Sequence, residues 1–211
     1  NGANFDIEGT NGDYIGSDLK YKSSRALINK EARFLFGEAP SIKIEAKGDI
    51  GKIGEESKDA LTTLNDLITT ILDDNNFEDK LVKGAKDCFI GKRVACLANF
   101  NNEDGVTVQF IPSTQFLYDT KLGNNDVLTK FVCFIIIKES TVQAERRIFK
   151  KKYELDESDN VWLEEILYDG AGVQVEEVTK RRTVSLKRIP AVIIANDGLT
   201  GNTDGESEIE T

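Results

Sequence analysis

Near Arg93 the spacing of apolar residues changes from a helical repeat to a strand repeat, and it does not change back. Upstream, Leu19, Leu27, Ile28, Ala32, Leu35 and Phe36 recur roughly on one helix face. Ala60, Leu61, Leu64, Leu67, Ile68, Ile71 and Leu72 do the same behind Ser57, and Phe77, Leu81, Ala85, Cys88 and Phe89 form a further helical set. Downstream, Val94 to Phe100 and Val106 to Ile111 read as strands flanking a Gly-ended hairpin loop, and Val127 to Ile137 is β-branched and almost wholly apolar, as a central strand is. Arg146 to Leu155, Val161 to Asp169, Val173 to Thr179 and Thr183 to Ile189 then form an antiparallel meander, with turns at Asp156 to Asn160 and Gly170 to Gly172. Helices first and strands afterwards leave no alternation from which to build a doubly wound sheet. The expected class is α+β, with N-terminal helices packed on a mainly antiparallel sheet or meander.

Punctuation between these elements follows residue chemistry. Gly37 is expected to cap the first helix in a left-handed conformation, with Pro40 blocking its continuation. Ser41 to Ala46 alternates Ile42 and Ile44 with polar residues and reads as a short strand before a flexible turn at Gly48 to Gly54. Asp73 to Asn76 breaks the helix pair, and Gly91 ends it. Residues 1–16, with four Gly and few apolar side chains, read as a flexible arm; 17–195 as one domain; and 196–211, with five acidic residues and no basic one, as an acidic loop or tail.

Composition removes most chemistry. The chain has no His, which excludes Ser/His/Asp and Cys/His nucleophilic sites and His-ligated zinc. Cys88, Cys96 and Cys133 lie in apolar runs without CxxC spacing, as buried free thiols do. The net charge of −10 opposes nonspecific binding to free nucleic acid or an anionic membrane, and no apolar run approaches the ~18 residues of a membrane span. Gly48 to Gly54 lacks the spacing and the hydroxyl of a phosphate loop, since Ile53 follows Lys52. Asp73 to Asp79 places Phe77 where a calcium loop needs oxygen, and the tail residues Asp197, Asn202, Asp204 and Glu206 are explained as well by a solvated segment. Glu164-Glu165 and Glu176-Glu177 sit on adjacent strand positions, which point to opposite faces, so neither doublet converges as an acid/base pair. Trp162 is read as a packing residue. No catalytic, cofactor-binding or metal-ligating set is expected, and an enzyme has no constellation to stand on.

Two basic clusters stand against this acidic background: Arg146, Arg147, Lys150, Lys151 and Lys152, then Lys180, Arg181 and Arg182 with Lys187 and Arg188. They could form a track for a nucleic-acid backbone, because phosphate contacts need only positioned cations. Glu154, Glu164, Glu165, Glu176 and Glu177 lie on the intervening strands, so cross-strand pairing within or between subunits is the stronger reading.

One sequence pattern points further. A helix carrying Asn29 runs into Phe34-Leu35-Phe36-Gly37-Glu38-Ala39-Pro40; a helix pair ends at Gly91; a hairpin leads to Ile111-Pro112-Ser113; and the block closes with Ile189-Pro190-Ala191-Val192, Asn196 and Gly205-Glu206-Ser207-Glu208-Ile209. In this order the segments resemble the N-terminal part of tailed-bacteriophage portal proteins, the head-tail connectors of the SPP1-like family. The resemblance implies a structural, non-enzymatic subunit: the outward-facing wing domain, with the channel-lining stem continuing beyond Thr211 from a helix that Gly205 and Ser207 would cap. It also implies a dodecameric ring at one capsid vertex of the virion, assembled in the host bacterial cytoplasm. Its expected partners are the terminase large subunit, head-tail connector, scaffold and major capsid proteins, with DNA passing through unread during packaging and ejection. The alternative is a non-enzymatic α+β interaction module of another phage tail or cellular assembly.

Overall fold

The computed structural model describes residues 23–38, 40–45, 55–101, 105–138, 140–196 and 205–207. The expected N-terminal arm, Leu19, the turn at Gly48 to Gly54, most of the acidic tail and Ile209 lie outside them. Among the described residues three helices, α1 (Ser23–Phe36), α2 (Glu55–Asp74) and α3 (Phe77–Gly91), precede eight strands. The strands are β1 (Arg93–Asn101), β2 (Gly105–Pro112), β3 (Phe116–Lys121), β4 (Asn124–Lys138), β5 (Arg147–Leu155), β6 (Val161–Asp169), β7 (Gln174–Val184) and β8 (Ala191–Ala195). They form two antiparallel sheets, β2-β1-β8 and the meander β3-β4-β5-β6-β7. The fold class is α+β, as the single change of period requires.

The alternation of each strand explains how the sheets stack. Ala95 and Leu97 of β1, Ile111 of β2 and Ala191 of β8 meet Phe116, Phe131, Cys133, Tyr153, Val161 and Leu163 of the larger sheet in one buried cluster. Phe131, Leu97 and Val161 are wholly enclosed, each such side chain contributing roughly 1.5–3 kcal/mol over exposure. On the opposite face of the small sheet, α3 packs against β1 and β2, and α1 packs on α3 through Ile28 and Ala32.

The helix-pair break does more than turn the chain. Asn76 takes a left-handed backbone, φ 48° and ψ 50°, while the side chain of Asn75 is buried and reaches the outer edge of β2. Its Nδ2 donates to the carbonyls of Ile71 and Val106, both at 2.8 Å, and its Oδ1 accepts from the Val108 N–H at 2.7 Å. Lys80 Nζ donates to the Val108 carbonyl at 2.8 Å and to Asn75 Oδ1 at 3.2 Å. The sheet edge is thereby satisfied by two side chains in place of another strand.

Several expectations are corrected. Ser41 to Glu45 is extended but joins no sheet: Asn65 of α2 accepts from the Ile44 N–H at 2.8 Å and donates to the Ile44 carbonyl at 3.1 Å, so a side-chain amide takes the place of a strand partner. Gly37 is not left-handed; it is required because a Cβ there would lie 2.5 Å from the Arg33 carbonyl oxygen. At the end of α3 the left-handed residue is Lys92, φ 69°, and Gly91 instead makes room for Ser113, whose Oγ would be 2.5 Å from an added Cβ. Helix α2 starts at Glu55, ahead of Ser57. Strand β3 was not anticipated, and β4 begins at Asn124. The expected strands Val173 to Thr179 and Thr183 to Ile189 are one strand, β7, after which the chain crosses to the small sheet and pairs as β8 with β1.

Candidate functional site

Residues far apart in sequence converge where α3 ends and β1 begins. Pro190 precedes edge strand β8, and its carbonyl accepts from the Ala98 N–H at 2.9 Å. Asn196, just past β8, donates its backbone N–H to the Lys92 carbonyl at 2.7 Å. Its own carbonyl accepts from the Glu206 N–H at 2.7 Å, and its Nδ2 donates to the Glu206 carbonyl at 2.9 Å, so Asn196 grips Glu206 from two sides. Gly205 is buried, with φ +65°, and a Cβ there would fall 2.3 Å from the Lys92 oxygen. The Ser207 hydroxyl donates to the carbonyls of Ile90 at 2.9 Å and Phe89 at 3.4 Å, satisfying acceptors that the end of α3 leaves open. Ser207 therefore caps the C-terminus of α3, and the helix it was expected to open would lie outside the described residues. Pro112, the last residue of β2, pairs with Val94 one residue from this junction.

The remaining motif positions lie elsewhere. Asn29 and Phe36 are half-buried on α1, Gly37 and Glu38 are exposed at its end, and Pro40 lines a groove beside α2. Local periodicity gave no signal for the junction; only the order of motif segments pointed to Gly91, Pro190, Asn196, Gly205 and Ser207.

The basic clusters do not form one surface. Strand alternation turns Lys151 into a cleft of about 730 Å³ between the sheets, where Arg182 also lies. Lys151 Nζ sits 2.9 Å from Glu165 Oε1, donates to Asn99 Oδ1 at 2.7 Å and lies over the Tyr153 ring. On the other face Lys152 pairs with Glu154 at 2.7 Å, Arg181 pairs with Glu154 at 3.2 Å while stacking over Trp162, and Lys150 lies over Tyr168. The hydrogen bond from Lys152 first, then the charge of Lys152 and after it that of Arg181, hold the Glu154 carboxyl below its ordinary range against the opposing effect of burial. Arg146 Nη2 donates to the Ser140 carbonyl at 3.3 Å and Arg147 Nη1 to the Arg146 carbonyl at 2.9 Å. Lys180 is exposed on β7.

Neither Tyr153, which lines the cleft, nor the buried Cys133 is an activated nucleophile. Burial pushes the Cys133 thiol up to about 11 and raises Tyr153 as well, so both are protonated at neutral pH. Glu165 is held by Lys151 and accepts from Thr179 Oγ1 at 2.5 Å, while Glu164 is on the opposite face, opposite Lys152 in the strand register. Among the described residues no three His, Cys, Asp or Glu side chains gather as metal ligands, and no helix is long and apolar enough to cross a membrane.

One carboxylate does carry a pH signature. Asp156 Oδ2 accepts from the Trp162 indole N–H at 3.0 Å, and its Oδ1 accepts from the backbone N–H groups of Asn160 and Ser158 at 2.8 and 2.9 Å. These bonds, the indole's first, hold its pKa down to about 2 against an ordinary 3.8. The group favours the folded chain above pH 3.8, and that contribution disappears as pH falls towards 2. The indole N–H resonance of Trp162, the sole tryptophan, should titrate with a midpoint near 2 and lose that titration in Asp156→Asn; a midpoint near 4 would show that the indole bond is not made in solution.

No curated protein matches the chain. The family model described as "Phage portal protein, SPP1 Gp6-like" matches residues 19–197, spanning α1 through β8 and Asn196. That span covers the three helices and two sheets of the described residues, and this chain belongs to the phage portal protein family, whose members are structural.

Proposed function

We propose that this chain forms the outward-facing wing of a portal subunit, as a single body over residues 17–195 with an acidic segment that leads towards a channel-forming part of the same gene product. The subunit assembles into a dodecameric ring at one vertex of the capsid. DNA passes through the ring during packaging and ejection, the terminase large subunit docks there, and head-tail connector, scaffold and major capsid proteins meet its outer surfaces. The observation that carries this reading is the family match over residues 19–197. The charge distribution supports it: a chain of net charge −10 in which Lys151, Lys152 and Arg181 are each paired with a carboxylate of the same chain does not grip moving phosphate. The Asn196, Gly205 and Ser207 junction ties the outgoing chain to α3 and β1, so load on that segment reaches the body through Lys92, Ile90 and Glu206.

Electron microscopy of the full-length gene product tests the reading directly. Closed rings of twelve subunits are expected. A product that stays monomeric at every concentration tried, or assembles only as an open filament, would exclude a portal role.

A further inference from the structure

Lys151 is a primary amine held against a side-chain amide and a carboxyl group at once. Strand β5 turns it into the cleft between the sheets, where its side chain is 12% exposed and that of Glu165, from β6, is 15% exposed. Lys151 Nζ lies 2.9 Å from Glu165 Oε1 and donates to Oδ1 of Asn99, on β1, at 2.7 Å. An ammonium only donates, so Asn99 presents its oxygen to Lys151, and its Nδ2 donates to Gln109 Oε1 at 3.2 Å. The second carboxylate oxygen of Glu165 accepts from Thr179 Oγ1. Phe149, Tyr153 and Leu163 line the same cleft, so the three groups meet beside apolar walls.

An amine, a carboxamide and a carboxyl that can move protons between them are the groups that amide exchange needs. The electrophilic carbon of Asn99 is one bond beyond the oxygen that Lys151 already touches, and folding has removed the entropic cost of bringing them together. We propose that Lys151 and Asn99 join in an isopeptide bond that the folded chain makes by itself, with Glu165 as the catalytic residue. Glu165 takes a proton from the Lys151 ammonium. The freed amine attacks Asn99 Cγ; a C–N bond forms and the carbonyl electron pair moves onto oxygen. As that pair returns, the Cγ–Nδ2 bond breaks. Glu165 gives its proton to the departing nitrogen and takes one from the new amide nitrogen, and ammonia leaves. Nothing is oxidised or reduced, and no co-reactant enters. The product ties β1 of the small sheet to β5 of the large one, between residues 52 apart in sequence, so the two sheets cannot separate even when the core opens.

Intact-mass spectrometry of the purified full-length product tests this. Wild type should weigh one ammonia less than its sequence requires, and a tryptic digest should contain a branched peptide joining the segments around Asn99 and Lys151. Lys151→Arg and Asn99→Ala should each keep the full sequence mass. Glu165→Gln, which preserves size but has no carboxyl to exchange protons, should form the bond about a hundredfold more slowly or less. Circular dichroism shows which variants fold, and the branched peptide from wild type decides the matter even where one does not. Folded wild type that keeps its full mass after prolonged incubation would overturn the proposal. A loss of ammonia that persists in Lys151→Arg would also overturn it, because it marks a succinimide at Asn99. Cross-linking of Glu165→Gln at the wild-type rate would overturn the role of Glu165.

Discussion

Asn75→Ala should lower the free energy of unfolding by about 4 kcal/mol, the largest loss expected from any single side chain outside the apolar core. The size follows from what is left behind. Truncation strips the Val106 carbonyl and the Val108 N–H of their side-chain partners, removes a bond to Ile71, and leaves Lys80 with one acceptor fewer. Asn75 is 6% exposed, so water cannot freely replace it, and each orphaned backbone group costs roughly 1–3 kcal/mol. Asn75→Asp separates the contributions: its carboxylate still accepts from Val108 and Lys80 but donates nothing to Val106 or Ile71, and about half the loss is expected. Urea unfolding checks both, with a lower midpoint and an unchanged slope. The alanine variant should also associate more readily, because the edge of β2 regains unpaired groups. A loss below about 1 kcal/mol would mean that water reaches the β2 edge and that α2 and α3 are not fixed there.

The period change at Arg93 made the class legible, and where turn residues bracketed an apolar run the limits were legible too: β6 is Val161–Asp169 as read, between the Asp156 and Gly170 turns. Misreadings occurred where local chemistry was ambiguous or the partner was remote. Lys180, Arg181 and Arg182 interrupt an apolar pattern without Gly, Pro or Asn, so the polar triplet resembled a break while the backbone continued as β7 with register shifts. Ile42 and Ile44 alternate as in a strand, but their segment is matched by the amide of Asn65, which no periodicity can announce. Strand β3 is six residues long and directly follows a single 3-10 turn, too short a run for its pattern to stand out. The division into two sheets depends on Ala191–Ala195 pairing with Arg93–Leu97, a contact fixed by packing across most of the chain. Similarly, the basic runs were visible as sequence, but their separation onto two faces follows from alternation along β5 and from the acids of β6, and it becomes definite only with the register.

Gly205→Ala should open the junction with an effect that is large but local. At φ +65° an alanine costs about 1 kcal/mol of backbone strain, and its Cβ would stand 2.3 Å from the Lys92 oxygen and 2.7 Å from the Asn196 oxygen. Those two oxygens accept the 2.7 Å bonds from Asn196 and Glu206, so relief of the clash breaks the bonds that hold the segment, for a total of about 3 kcal/mol. Gly205–Ser207 can detach without unpairing β1 from β2. The expected result is therefore an increase of about a hundredfold in hydrogen exchange at the Glu206 amide, with little change at Ala95 or Leu97 in the core of the small sheet. Ser207→Ala, which removes the hydroxyl bonds to Ile90 and Phe89, should raise exchange at Glu206 by no more than about tenfold. If exchange instead rises together through β1 and β8, the anchor and the small sheet unfold as one unit, and a pull on the outgoing chain would be borne by the whole sheet. Exchange confined to Glu206 and Asn196 assigns that load to the grip of Asn196 on Glu206, the weakest bonded step between the body and whatever follows it.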